Sequence, residues 1–410
     1  MTIQTVSAAS GAQALSNSVR AAYGAKYVEA AELTRVYDRL AQPVGKFGVE
    51  QAAKLNSSIV LNFLSEMAPG TSALSETTDV VPSVLRDATC TISPTSRWGA
   101  LQWSEKIELE AYTNYGESRM KVLGSNMMES VDLLAQAKAL QGGNAWSFVG
   151  RATLDAGGTT GHLLTDSLIS FADVRLLTGK CPAYVGNGRN QWFSILHPYA
   201  FYDLRTGGKV VSVAYYQKAE IILNWELGQV GNFKLIVSPD AKTFMAAGLA
   251  NGAAIATTTS GAINALDLTM TVAAGTSIGA GDRLMVGTIE TGNTFYPTNE
   301  TVLVSSIATS TVTIIGAGAN GGFKYDHASG STVSNKDDVF PVVFGGPSSL
   351  GKMYAEEIGE FGEVVGPKKD GLLDQFGSIG WKWYGGYDVI SQSWLFREEV
   401  ASSLQNSDSG

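Results

Sequence analysis

Ser194, His197 and Asp203 lie within ten residues of one another and are the three side-chain types of a nucleophile–base–acid relay. Such a relay needs the three groups to meet in space, and no strained elbow of the GxSxG kind surrounds Ser194. His197 instead precedes Pro198 at the head of PYAFYDLR, where a histidine caps or packs beside a helix that opens on proline. The stretch GAGANG, Gly316–Gly321, satisfies GxGxxG and follows the strand-like TVTII. A dinucleotide site needs a helix next, so that its N-terminus can meet the pyrophosphate. The following GFKYDHASGS is not helical, so a glycine-rich turn between strands is the expectation. His162, His197 and His327 are far apart, and there is no HExxH or Cys/His cluster, so no zinc site is read. Asp326–His327 reads as a turn, and Asp337–Asp338 and Glu356–Glu357 read as solvated surface charge. Cys90 and Cys181 form no CxxC pair and read as two buried, reduced thiols. No catalytic residue, cofactor site or metal site is assigned, and the chain is not expected to be an enzyme.

The elements that would position such groups follow from composition and periodicity. The 410 residues allow two or three domains. Charged residues make up 16% of the chain, below the ~25% usual for a soluble domain. With 46 glycines, that suggests a surface of which much does not face water. A net charge of −9 leaves no basic footprint for tight nucleic-acid binding. Neither a signal peptide nor a transmembrane helix is expected, since there is no basic start before an apolar run and no stretch of eighteen apolar residues.

Residues 1–25, rich in Ala, Ser and Gly, read as a flexible arm. Two helices are expected over 26–67: one over Lys26–Ala41, ended by Pro43, and an amphipathic one over Lys46–Met67. Residues 68–112, broken by Pro82 and Pro94, read as a long two-stranded excursion. Gly116–Leu140 is the longest helix candidate, a rod of roughly 38 Å. Its apolar stripe is Met120, Leu123, Met127, Val131 and Leu134, with Ala137, while Glu117, Lys121, Glu129, Asp132 and Lys138 lie off it. Strand and helix signals then alternate, with strands at Trp192–Leu196 and Phe233–Pro239. Residues 248–336 turn rich in Gly, Ala, Thr and Ser, with strand-like runs from Leu266 to Val272 and at RLMVGT, TVLVSSI and STVTIIG. They read as a small all-β barrel or sandwich inserted into the surrounding domain, which resumes at DVFPVVFGG.

The end of the chain, GWKWYGGYDVISQSWLFREEV, carries three of the eight tryptophans. Trp381, Trp383, Tyr387, Trp394 and Phe396 are read as packing residues, in the core or between subunits. An exposed sugar-binding platform is the weaker alternative.

Four segments carry a family resemblance through their order and spacing: KFGVEQAAKLNSSIVLNFL, WSEKIELEAYTNYGESRMKVLGSNMMESVDLLAQAKAL, ILHPYAFYDLR and KWYGGYDVISQSWLFREEVAS. Together they resemble the major capsid protein of tailed bacteriophages, the Hong-Kong-ninety-seven fold, and within it the podovirus-type family. The resemblance covers roughly residues 26–247 and 337–403, outside the insertion. It implies an α+β chain with an N-terminal arm, an extended E-loop at 68–112 and a spine helix opening the peripheral domain at 113–159. It further implies an axial domain at 160–247, resumed at 337–366, and a C-terminal return to the peripheral domain at 367–410. The implied function is a structural protein that assembles as hexamers and pentamers into the icosahedral head. Portal, scaffolding and decoration proteins would be its partners, and double-stranded DNA would be enclosed without sequence-specific binding or any membrane. Its location would be the virion, after assembly in the bacterial host cytoplasm. The alternative function is a ligand- or carbohydrate-binding tail component or adhesin using the β-insertion.

Overall fold

The computed structural model describes residues 36–47, 59–64, 87–106, 115–147, 151, 154, 162–186, 189–207, 211–212, 226–245, 255–275, 277–316, 318, 320–335, 338–356, 358–370 and 375–406. In chain order the elements begin with α1 (Tyr37–Leu40), β1 (Gln42–Phe47), β2 (Ile59–Leu64), β3 (Asp87–Ile92) and β4 (Thr95–Ser104). Then come α2 (Tyr115–Leu140), β5 (Ala145–Ser147), α3 (Asp166–Thr178), β6 (Tyr184–Gly186), β7 (Arg189–Leu196) and α4 (Pro198–Thr206). Strands β8 (Val211–Ser212), β9 (Glu226–Val230), β10 (Phe233–Val237) and β11 (Phe244–Met245) follow. The glycine-rich region holds β12 (Ala256–Thr258), β13 (Thr269–Thr271), β14 (Arg283–Gly287), β15 (Glu300–Ala308), β16 (Thr311–Ile315) and β17 (Thr332–Ser334). The chain closes with β18 (Asp338–Gly345), β19 (Leu350–Ala355), β20 (Glu363–Asp370), β21 (Phe376–Val389) and β22 (Leu395–Val400).

Two compact units divide the chain: Met1–Ala135 with Leu350–Ile390, and Gln136–Ser349 with Ser391–Gly410. In the first, β21 is the central strand of a five-stranded sheet. Along one edge β4 runs antiparallel to it, from Phe376↔Ser104 to Gly385↔Thr95. Along the other edge lie β20 and then β19, and β1 is parallel to β19. Period-2 alternation puts Ile379, Trp381, Trp383, Tyr387 and Val389 on the buried face of β21. Helix α2 lies against that face: the Trp381 indole Nε1 donates to Asn126 Oδ1 at 3.1 Å, and Met120, Leu123, Met127, Met128 and Val131 are buried. Residues β2 and β3 form a separate antiparallel ribbon, from Ile59↔Ile92 to Leu64↔Asp87.

The second unit is built on a nine-stranded mixed sheet in which β18 pairs with both β22 and β7. Helices α3 and α4 contribute Leu168, Ile169, Ala172, Leu176, Ala200 and Leu204 to the core on one face, against Trp192, Phe233, Phe344 and Phe396. Pro198 occupies the first turn of α4, where a missing N–H leaves no extra orphan. The inserted residues form a six-stranded sheet ordered β12-β17-β14-β15-β16-β13. A bridge between Thr259 and Val272, with Ser260 N bonded to Thr271 O and Ala273 N to Thr258 O, joins its first and last strands. The sheet therefore closes as a barrel, which removes its open edges. Val286, Val302, Val312, Ile314, Phe323 and Val333 fill its interior.

Several expectations are corrected. Among the described residues of Lys46–Met67 there is no helix: Lys46 lies in β1, and Ile59–Leu64 are the strand β2. The apolar spacing of that stretch suits either period over so short a run, and pairing with β3 decides for the β-branched Ile59–Val60. The expected helix over 26–41 survives in the described residues as one turn, Tyr37–Leu40. Within the expected excursion, β4 is a full strand of the sheet, and β3 pairs back to β2. Residues Leu350–Ile390 lie in the first unit and Ser391 onward in the second. The cause is the turn at Ser391–Trp394, after which β22 leaves the β21 sheet and pairs with β18. In the insertion the strand starts at Thr269, so Leu266 and Leu268 are exposed instead of facing the barrel interior. The arm, residues 1–25, lies outside the described residues.

Gly385 lets Trp383 and Tyr387 stack at 6.0 Å across it, because a Cβ there would sit 2.4 Å from the Trp383 ring and 2.5 Å from the Met353 carbonyl oxygen. Gly385→Ala is expected to destabilise the first unit by about 1–3 kcal/mol through overpacking. Gly261→Ala, in open space, should change stability by less than about 0.5 kcal/mol. Denaturant unfolding of the two variants checks the contrast.

Candidate functional site

The residues with catalytic side chains are not assembled into a relay. His197 is the N-cap of α4, and its Nδ1 accepts from the Tyr199 N–H at 3.2 Å. Burial, with the Arg283 charge adding to it, lowers the imidazole to about 4, so it is a neutral acceptor near pH 7. The Asp203 carboxylate is taken by Ser403, whose N–H and hydroxyl both donate to it. Ser194 Oγ is buried in β7 without a hydrogen-bond partner. In the glycine-rich stretch, Gly316 N donates to Gly321 O at 2.7 Å and Gly321 N to Gly318 O at 2.9 Å. His327 bonds Glu300 at 2.9 Å, and Asp326 accepts from the Ala265 N–H, so both serve the barrel wall. Neither cysteine is in a disulfide; Cys181 is buried, whereas Cys90 is only half-buried and its Sγ donates to the Val389 carbonyl, and burial raises the Cys181 thiol to about 11. Among the described residues no group of three or more His, Cys, Asp and Glu could hold a metal ion.

Four of the five C-terminal aromatics, Trp381, Trp383, Tyr387 and Phe396, are buried within the chain itself. Trp381 and Trp383 are each 2% exposed, Tyr387 4% and Phe396 0%. Trp394 is half-buried and precedes β22; its Nε1 donates to the Gly179 carbonyl at 3.2 Å. The two units share the set: Trp381, Trp383 and Tyr387 fall in the first, Trp394 and Phe396 in the second. On α2, Met120, Leu123, Met127 and Val131 are buried, whereas Leu134 is only half-buried and Ala135 takes the inner place.

Sequence reasoning missed the polar centre of the first unit. The Asp38 carboxylate, 1% exposed, accepts from the Tyr387 hydroxyl at 2.6 Å and from Lys352 Nζ at 3.3 Å. Lys352 Nζ also bonds Glu360 at 2.6 Å, and the Glu360 carbonyl accepts from Trp383 Nε1. Asp132, placed off the apolar stripe by its spacing, is buried: its Oδ1 accepts from the N–H groups of Val36 and Asp38 at 3.2 and 2.8 Å. Burial is the main cause that raises Asp132 to about 7; the neighbouring Asp38 charge adds, and the N–H bonds oppose. No local sequence pattern marks the Asp38 centre, because Lys352 and Tyr387 lie 314 and 349 residues further along the chain. The arrangement holds a lysine, a tyrosine and carboxylates in mutual satisfaction and so fastens α1, β19 and β21 to one another.

In the second unit Glu398 on β22 is fully buried with both carboxylate oxygens lacking a hydrogen-bond partner. Its strand neighbours on that face are Phe396 and Val400, both in the apolar core. Burial raises its carboxyl from 4.5 to about 8.

No family model and no curated protein matches the chain. Solved structures do. The capsid of Ralstonia phage GP4 is 10% identical, with 85% of this chain and 84% of that one covered at a TM-score of 0.49. The capsid of cyanophage P-SCSP1u is 10% identical, with 90% and 89% covered at 0.49. The acidic stable capsid of Helicobacter pylori bacteriophage KHP30 is 11% identical, with 85% and 86% covered at 0.46.

A buried carboxyl that is protonated in the folded protein and ionised in the unfolded one makes stability fall as pH rises. The fall runs from the unfolded value to the folded one, here from 4.5 to about 8 for Glu398. Glu398→Leu is therefore expected to flatten the pH profile of the second unit over that window and to raise its stability above pH 8. Thermal unfolding from pH 5 to 9 checks it. Tyr387→Phe, leaving Asp38 one donor short, should cost about 1–2 kcal/mol in chemical denaturation of the first unit.

Proposed function

We propose that this chain is the structural subunit of the icosahedral head shell of a tailed bacteriophage, without enzymatic activity. One observation carries the reading. A 26-residue helix lies by its Met/Leu face on a sheet whose central strand buries the C-terminal tryptophans, while large apolar side chains stay on the outside. Trp98 on the edge strand β4 is 77% exposed and Val122 on α2 57%; in the second unit Val174 and Leu177 on α3 are 59% and 54% exposed. A chain that has already packed its core and still presents such side chains, with 16% charged residues, suits a subunit surrounded by neighbours.

In this reading the partners are copies of the chain, in hexamers and pentamers, with portal, scaffolding and decoration proteins. Packaged double-stranded DNA is enclosed without sequence-specific contacts. The net charge of −9 supports a wall along which DNA slides. In this reading the arm is 1–25, the E-loop 68–112, the peripheral domain opens at 113–159 and closes at 367–410, and the axial domain is 160–247 with 337–366. A carbohydrate-binding role for the aromatic stretch is disfavoured by its burial, and a ligand cavity inside the barrel by the apolar side chains that fill it.

Negative-stain electron microscopy beside size-exclusion chromatography of the protein expressed alone tests the reading. Closed shells, or rings of five and six, are expected. A monomer at every concentration, with scaffold added, would overturn it. Trp98→Ala should leave unfolding stability within about 0.5 kcal/mol yet reduce the assembled fraction, since an exposed aromatic contributes to contacts between molecules and little to the fold.

A further inference from the structure

The barrel reaches the rest of its unit through the loop Glu290–Asn299, and the contacts there are buried and ionic. Glu290 is fully buried; its Oε2 accepts from the Met245 N–H at 3.0 Å and its Oε1 from the Tyr296 N–H at 2.7 Å. Lys242 Nζ lies 3.8 Å from Glu290 Oε1 and donates to the Tyr296 carbonyl at 2.7 Å. Arg151 donates to the carbonyls of Glu290 and Gly292 at 2.8 and 2.7 Å. Its Nε and Nη2 also fork onto both oxygens of Glu399 on β22, at 2.8 and 2.6 Å. Arg397, on the same face of β22, donates to Asn293 Oδ1 at 3.1 Å. Both guanidinium groups lie against the Phe244 ring of β11, at 4.0 and 5.6 Å from its centroid. The loop's base is fixed by Asn299, whose side chain bonds Thr288 N–H and C=O, both at 2.8 Å. It fits only because Gly287, at φ +154°, has no Cβ to collide with it.

We infer that this loop is a strap by which the inserted barrel holds the C-terminal strand β22 in place. An appendage joined only through its ends would need none of these contacts; its ends, Ile255 and Asn335, are already tied to each other. The strap supplies partners to Arg151, Lys242 and Arg397, and Arg151 in turn holds Glu399. With the loop lifted, these groups lose shared partners while still buried, and a buried charge that loses its partner destabilises more than the pair stabilised. Displacement of the barrel is thereby transmitted to β22, and through its pairing to β5 and β18. This inference is independent of the shell reading.

Hydrogen exchange of the full-length protein, followed by mass spectrometry, tests it with Arg151→Lys, which keeps the charge and loses the fork, and with Glu290→Gln, which keeps the side chain's size. The expected result is a roughly tenfold or greater rise in exchange at β22 and β5, with β15 and β16 inside the barrel still protected. Unchanged exchange at β22 in Glu290→Gln overturns the strap, since Arg151→Lys also breaks the direct fork to Glu399. So does a rise confined to the barrel, or an equal loss of protection in every strand, because the strap requires a folded barrel acting on β22.

Discussion

One buried carboxylate organises the first unit. Asp38 lies near the start of the described chain, yet it is held by Lys352 on β19 and Tyr387 on β21, and its own N–H is held by Asp132 on α2. A charge this deep is tolerated only when hydrogen bonds replace the water it lost. Each of those elements is therefore constrained by the same atom group. Around it the aromatic face of β21 excludes water, which strengthens the polar contacts and makes their loss costly. The sheet and the helix are thus positioned by apolar packing, while their relative setting is fixed by a few polar bonds.

The second unit uses the two faces of one strand differently. On β22, Phe396 and Val400 join the apolar core beneath α3 and α4, with Glu398 kept neutral among them. Arg397 and Glu399 point the other way and meet Arg151 and the barrel loop. Period-2 alternation puts an apolar layer and an ionic layer on opposite sides of a single strand. That gives the inserted barrel a specific seat instead of a greasy one, and ionic contacts set its register.

The C-terminal aromatics are spent on the interior of the chain. Inside the chain they are core, so they are unavailable as a stacking platform for a ligand. The exposed apolar side chains are different residues on edge strand β4 and on the helices, and these are what other subunits would meet. Under the proposed shell role, folding and subunit contacts would thus fall to different residues.

The sequence alone determined the α+β class, the long helix and most of its buried stripe, the proline-opened helix after His197, and a glycine-rich all-β insertion. These are legible because they depend on local periods of two and 3.6 residues and on the fixed geometry of proline and glycine. Only the tertiary structure decided that Ile59–Leu64 is a strand, that Leu134 gives way to Ala135, and that the aromatic stretch divides between two units after Ile390. It alone decided the Asp38 centre and the strap at Glu290. Each of these depends on a partner brought from far along the chain, such as Tyr387 to Asp38 or Arg151 to Glu399. No pattern within a short window carries information about a partner that only the folded chain brings near.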